Sequence, residues 1–201
     1  MTAALLVLKL GGSLLESGRL ASVLDIVARR KRPVILVQGG GKFADQVRQS
    51  QVANGFDDAS AHRLAMFAMH QMANVIASRS GHFAPAATKE EIGMAGVNGL
   101  VPLWLPSTLA GADETIPKTW DMTSDSLAAW LAGAVGAKEV ALVKSCGVEP
   151  AADLEQLTAA GIVDPLFRGY VERLNLSWSV VGENDDERLR HLVAVPSPEP
   201  H

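Results

Sequence analysis

Two lysines stand at the ends of apolar runs, each followed by small residues. Lys9 lies in Leu5-Leu6-Val7-Leu8-Lys9-Leu10-Gly11-Gly12-Ser13 and Lys144 in Val140-Ala141-Leu142-Val143-Lys144-Ser145-Cys146-Gly147-Val148. A further run, Val34-Ile35-Leu36-Val37-Gln38, ends in Gly39-Gly40-Gly41-Lys42. An ammonium at the end of a buried strand, beside glycines that let a ligand approach the backbone, can hold phosphate and neutralise its charge. Helix amides that follow such glycines favour negative charge too. Two such turns could hold two anionic groups facing each other, which is the geometry phosphoryl transfer requires. Plainer readings stand beside these. The Lys9 motif is equally an ordinary strand-to-loop turn; for the Gly39–Gly41 triplet a flexible loop is the alternative, and the flanking strand and helix favour the anion site over it. Neither spacing matches Walker A or GxGxxG, so the common nucleotide motifs do not apply and a dinucleotide-dependent oxidoreductase is a poor fit.

Trp120-Asp121-Met122-Thr123-Ser124-Asp125-Ser126-Leu127-Ala128-Ala129 reads as the start of a helix that Thr123 or Ser124 can cap. Asp125 falls in its first turn, where the helix dipole stabilises a carboxylate, and a cationic partner such as Lys9 would give it a role in catalysis. His62, Arg63 and His70 lie on one periodic stretch, with His62 and His70 two turns apart on one face. Two histidines at that spacing make no compact metal site, and no metal ligands are expected. His62 and Arg63 are either anion contacts or ordinary core and surface residues. Met66, Met69 and Met72 read as helix core. Cys146 reads as a buried or half-buried thiol. Glu183-Asn184-Asp185-Asp186-Glu187 reads as a helix N-terminus ahead of Leu189 and Leu192.

The elements that position these residues follow from hydrophobic periodicity. Runs at 4–10, 33–37, 99–104, 139–143 and 178–182 predict strands, and helical periods cover 19–31, 41–53, 59–79, 123–136 and 164–174. Alternating strands and helices predict an α/β protein with a largely parallel sheet. The carboxyl ends of such strands line the ligand crevice, so Lys9, the Gly39 cluster and Lys144 should converge on one edge. The segment 81–121, rich in Gly and Pro, is expected to wrap the active-site side. A single domain over 1–195 with a frayed, proline-rich tail at 196–201 accounts for the 201 residues. A net charge of −4 gives no footprint for nucleic acid or an anionic membrane surface. No apolar run reaches the length of a membrane span. One cysteine and no signal-like N-terminus point to the cytoplasm.

Together these elements resemble the amino-acid kinase superfamily, which includes acetylglutamate, uridylate and isopentenyl phosphate kinases. The likeness is ordered: K-x-G-G-S, then G-G-G, an S-D-S-x-A helix start and a late strand ending in lysine, across residues 5 to 148. It implies a three-layer sandwich with helices on both faces of a mainly parallel sheet. It also implies ATP and Mg²⁺ on one side and a small-molecule phosphoryl acceptor on the other. By that likeness Lys9, Gly11, Gly12 and Ser13 hold the transferred group, and Asp125 organises Lys9. Lys144, Ser145 and Gly147 serve the nucleotide. Gly39, Gly40, Gly41, His62, Arg63, Thr123 and Ser124 serve an acceptor that is a phosphate monoester or a carboxylate. The chain departs from the pattern twice. Cys146-Gly147-Val148 occupies the place of D-G-V, and no G-M-x-x-K follows; the nearest stretch, Ala160–Phe167, has no lysine. Those departures leave a rival reading, a binding protein that kept the fold and lost the donor site. Short length and the Trp120–Ser126 segment are similar to a small branch that includes the kinase acting on aminomethylfuran phosphate in methanofuran synthesis. A homo-oligomer paired through 61–76 completes the expectation.

Overall fold

The chain was analysed as a computed structural model, which describes residues 4–194. Its six strands are Leu6–Leu10 (β1), Val34–Gln38 (β2), Phe83–Ala86 (β3), Val101–Trp104 (β4), Glu139–Val143 (β5) and Ser177–Val181 (β6). They form one sheet in the order β3-β4-β2-β1-β5-β6, and every pairing is parallel. Nine helices accompany them among the described residues: Leu20–Ala28 (α1), Gly41–Asn54 (α2), Asp58–Ala77 (α3), Lys89–Val97 (α4), Pro106–Leu109 (α5), Ser124–Val135 (α6), Leu154–Ala159 (α7), Phe167–Leu174 (α8) and Asp186–Ala194 (α9). The α/β reading and its parallel sheet hold. The tail at 196–201 lies outside the described residues.

Side chains alternate along a strand, so each strand feeds two separate cores. Leu6, Leu8 and Leu10 pack with Leu36, Ala141 and Val143 against α1, α9 and the end of α3. Val7 packs with Ile35, Val37, Val140 and Leu142 against α6 and α8. The central strands are buried on both faces and therefore read as unbroken apolar runs rather than as alternation. β1 sits at the middle of the sheet. From it the chain steps to β2 on one side, and β5 on its other side continues outward to β6. The crevice between β1 and β5 is thus the point where the connections diverge, the usual ligand position in an open α/β sheet.

One expected feature needs correction. The segment 81–121 does not wrap the ligand edge as irregular chain. Residues 83–104 build a regular β3-α4-β4 unit at the far margin of the sheet. β3 carries Pro85, which an outer strand tolerates because one side of it needs no partner. Helix α4 opens on a capping box between Thr88 and Glu91. Only 105–122 turns back toward the site.

The glycine turns hold the carboxyl ends of β1 and β2 together. A Cβ on Gly12 would overlap the Gly41 backbone, and one on Gly39 would lie 2.8 Å from the Gly12 nitrogen. Gly41 also has φ +52°, a left-handed conformation that suits glycine. Gly12→Ala should cost about 1–3 kcal/mol through overpacking of backbone against backbone. Gly169→Ala, where a Cβ meets open space in α8, should be neutral or stabilising by up to about 1 kcal/mol. Urea unfolding of the two variants checks the contrast.

Candidate functional site

Alternation places Lys9 on the same sheet face as Val7, and Lys144 on the face of Val140 and Leu142. That is the face covered by α6. The first turn of α6 therefore meets both ammonium groups. Lys9 Nζ lies 2.8 Å from Asp125 Oδ1, and Lys144 Nζ donates to Asp125 Oδ2 at 2.6 Å. Asp125 is 2% exposed and Lys9 6%, so this charge cluster is desolvated and strongly coupled. Burial works against the charge on Asp125, but Lys9 and Lys144 outweigh it and hold the carboxyl below its usual range. Burial also opposes the Lys9 charge, and Asp125 reverses the balance and raises its pKa. One carboxylate cannot neutralise two cations. Burial and the like charge of Lys9 accordingly bring Lys144 down to about 8 in spite of Asp125.

Thr123 occupies the N-cap position, but its side chain does not cap the helix. Asp164 does so from the loop before α8. Its carboxylate accepts from the Thr123 hydroxyl at 2.6 Å and from the amides of Thr123 and Ser126 at 3.1 Å each. The Asp164 amide in turn donates to Asp125 Oδ2 at 3.3 Å. Burial and the neighbouring Asp125 raise the Asp164 pKa. Asp164 is not among the residues the sequence pattern singles out; its stretch, Gly161-Ile162-Val163-Asp164, carries no lysine and no motif of its own. Arg19 was also missed. It donates to the carbonyls of Lys144 and Gly182 at 2.9 and 3.1 Å and contacts Asp186 at 2.5 Å, clamping the turns after β5 and β6.

The Gly11 amide donates to the Val143 carbonyl at 2.9 Å, and the Ser13 and Ser145 hydroxyls lie 2.6 Å apart. The turns after β1 and β5 are thus joined in front of the lysine pair. Beside Gly147 the nearest atom to a notional Cβ is a Glu183 carboxylate oxygen. Cys146, expected to be buried or half-buried, is exposed. It lies two residues past Lys144, beyond the end of β5, where its carbonyl accepts from the Glu183 amide at 2.9 Å.

On the other side of Gly12 and Ser13 opens a cleft of about 430 Å³. Gly39, Gly40 and Gly41 form its floor, and α2 begins there without a side-chain cap, so its first amides have no intrahelical partner. Ala44, Asp45 and Arg48 follow on the same face of α2, and His62, Ala65, Met66 and Met69 line it from α3 at helical spacing. Thr123 and Ser124 border it from α6. Gln38 locks the frame by donating to the Met69 and Trp104 carbonyls at 3.1 and 2.8 Å. Trp120 forms a wall; its indole N–H donates to Gln51 at 2.7 Å, and the Arg48 guanidinium stands 4.3 Å from its ring centre. His62 reaches the cleft, with its pKa lowered by burial and by Lys118. Arg63 does not line it. It lies in a smaller neighbouring hollow and donates to Ser60 at 3.2 Å. Arg48 is the arginine in the cleft. Among the described residues no group of acidic, histidine and cysteine side chains forms a metal site, and no helix is long and apolar enough to cross a membrane.

This geometry defines the class: an α/β sandwich with a buried lysine–aspartate–lysine bridge at the switch point of a parallel sheet and a cleft beside it. The chain belongs to the Amino acid kinase family, whose sequence profile matches residues 4–146. It is similar to the (5-(aminomethyl)furan-3-yl)methyl phosphate kinase of Methanocaldococcus jannaschii, at 22% identity over 93% of this chain and 92% of that one. In fold it matches uridylate kinase from Archaeoglobus fulgidus, with a TM-score of 0.66, 21% identity and 94% of both chains covered. UMP kinase from Bacillus anthracis gives a TM-score of 0.67 at 14% identity, covering 96% of this chain and 93% of that one.

The lysine pair has a pH signature. The folded pKa of Lys144, about 8, lies below its ordinary 10.5, so the folded state binds fewer protons between those values. The contribution of Lys144 to stability therefore rises as pH climbs through that window, whereas Lys9, whose pKa is raised, keeps its proton. Between pH 7.5 and 9.5 wild type should gain about 2 kcal/mol relative to Lys144→Met. Urea midpoints of both proteins at the two pH values check this.

Proposed function

We propose that this protein is a small-molecule kinase that moves the γ-phosphoryl group of ATP in line onto an acceptor carrying a phosphate monoester. The observation that carries the reading is the buried Lys9–Asp125–Lys144 bridge, which holds two ammonium groups at the carboxyl ends of β1 and β5 beside the Gly11–Ser13 turn. In the transfer the bond from the γ-phosphorus to the bridging β-oxygen breaks and a bond to an acceptor phosphate oxygen forms, with ADP leaving. A phosphate oxygen is already ionised at neutral pH, so no general base and no covalent enzyme intermediate are needed. Positioning and charge neutralisation supply the catalysis.

In this reading Lys9 sits on the transferred group with the Gly12 amide and the Ser13 hydroxyl, while Gly11, whose amide is held by the Val143 carbonyl, shapes the turn rather than binding phosphate. Asp125 fixes Lys9, and Lys144, Ser145 and Gly147 meet the nucleotide phosphates. The donor set present suits Mg²⁺ only as a partner of nucleotide phosphates, because the described residues offer no carboxylate cage. When bound it would neutralise phosphate charge beside Ser13 and Ser145. The acceptor phosphate would lie over the α2 N-terminus and Arg48.

The other cleft residues support the branch to which the Methanocaldococcus relative belongs. That relative acts on a furan bearing an aminomethyl group and a phosphate. Here Trp120 offers an aromatic wall, Arg48 a cation for phosphate, and Asp45 and Glu16 carboxylates for an amine. A flat ring with a basic arm and a phosphate arm fits that pattern. We retain with it a paired assembly through α3, on which Leu64 and Phe67 are exposed.

The second reading, a binding protein without catalysis, is favoured by one observation: Cys146 stands where the family has an aspartate, and Glu183 is the carboxylate beside that turn. Lys9→Met separates the two. It leaves Asp125 paired with Lys144, so the fold should persist. ATP-dependent phosphorylation, first established with a panel of aminoalkyl phosphomonoesters, should fall by about 10²–10³-fold. An unchanged rate in Lys9→Met would overturn the proposed role of the bridge.

A further inference from the structure

A second and larger cavity, of about 850 Å³, lies at the opposite end of the sheet, where Leu5, Pro33 and Val34 begin β1 and β2. It falls within the size range of small-molecule sites, roughly 300–1,000 Å³. Its floor is apolar, with Ile35, Ile92 and Leu100 among its residues. Its charged lining is entirely basic: Arg30, Lys31, Arg32 and Lys89, with no acidic side chain. In a chain of net charge −4 this is a local reversal of sign.

Two further observations point to a ligand. Arg32, 4% exposed, is fixed at the cavity edge by the Ala4 and Leu192 carbonyls and by Glu139 at 2.8 Å, whereas Lys31 and Lys89 have no ion-pair partner among the described residues. The second observation is on α4, whose cavity-lining positions Gly93 and Gly96 each have open space where a side chain would project. An interior helix glycine costs about 1 kcal/mol relative to alanine. Two of them on one face keep this wall bare.

We propose that this cavity binds a small organic anion with an apolar ring or chain. The apolar part lies against Ile35, Ile92 and Leu100, and the anionic head, a phosphate, sulfonate or carboxylate, lies between Lys31, Lys89 and the Arg30–Arg32 edge. The site is separate from the glycine-turn cleft and sits at the other end of β1 and β2, about 15 Å away along strands of five residues. It goes beyond the kinase reading and does not depend on it.

The probe is 8-anilinonaphthalene-1-sulfonate, followed by its fluorescence, with neutral N-phenyl-1-naphthylamine as its uncharged counterpart. Wild type should show saturable one-site binding of the sulfonate. Lys31→Glu combined with Lys89→Glu should weaken it about tenfold or more, as the loss of two charge contacts implies. Gly96→Phe, which fills the wall, should weaken it comparably, and Arg48→Ala in the other cleft should leave it unchanged. Circular dichroism and urea midpoints verify that each variant is folded. If Gly96→Phe is not folded, the exposed-lysine variant decides. Absence of saturable binding, equal binding in the charge-reversed variant, loss on Arg48→Ala, or equally tight binding of the neutral probe would each overturn the proposal.

Discussion

One carboxylate shared by two buried ammonium groups is the constraint around which this molecule is arranged. An isolated buried charge is expensive, and a bridge of this kind survives only where hydrogen bonds and geometry hold every member. Lys9 and Lys144 are delivered by adjacent strands in register, with Leu10 opposite Val143. Asp125 is delivered by the crossover helix that covers their face. Remove Asp125 and both ammonium groups lose their partner in a low-dielectric setting, whereas loss of either lysine leaves the carboxylate paired with the other.

The arrangement holds two ammonium groups at the carboxyl ends of β1 and β5, and Asp164 stands as a second carboxylate within Coulomb reach of both. By capping α6 and donating its amide to Asp125, it fixes the carboxylate that fixes the lysines. The uncapped start of α2 adds aligned amides a short step away, across the Gly12–Gly41 contact. A cation-rich crevice and an open helix N-terminus on either side of one backbone contact suit two phosphates brought end to end.

Much of this was legible in the sequence. Both lysines, Asp125 and the glycine turns were found because a charged residue at the end of a buried apolar run is conspicuous, and their order carried the family likeness. Five of the six strands were evident for the same reason. β3 escaped because Phe83-Ala84-Pro85-Ala86 is short and has no period, although the Thr88-x-x-Glu91 box after it marks the start of α4. By sequence alone the glycines mean room for an anion. In the structure Gly12 and Gly39–Gly41 first make room for neighbouring protein atoms, and only their exposed side lines the cleft. Arg63 looked like the anion contact because it neighbours His62, yet helix geometry turns it away, and Arg48 takes that place from α2. Asp164 and Arg19 act across long sequence separations through caps and carbonyls, and no local spacing announces such contacts.

The account stands on the claim that the bridged lysines serve a nucleotide donor next to the acceptor cleft. Calorimetric titration of the protein with MgATP tests it most directly. The account predicts saturable binding at one site per chain that is lost when Lys144 is replaced by alanine. Absence of any binding heat at millimolar nucleotide, with the protein folded, would contradict it and leave a fold that holds anions without transferring them.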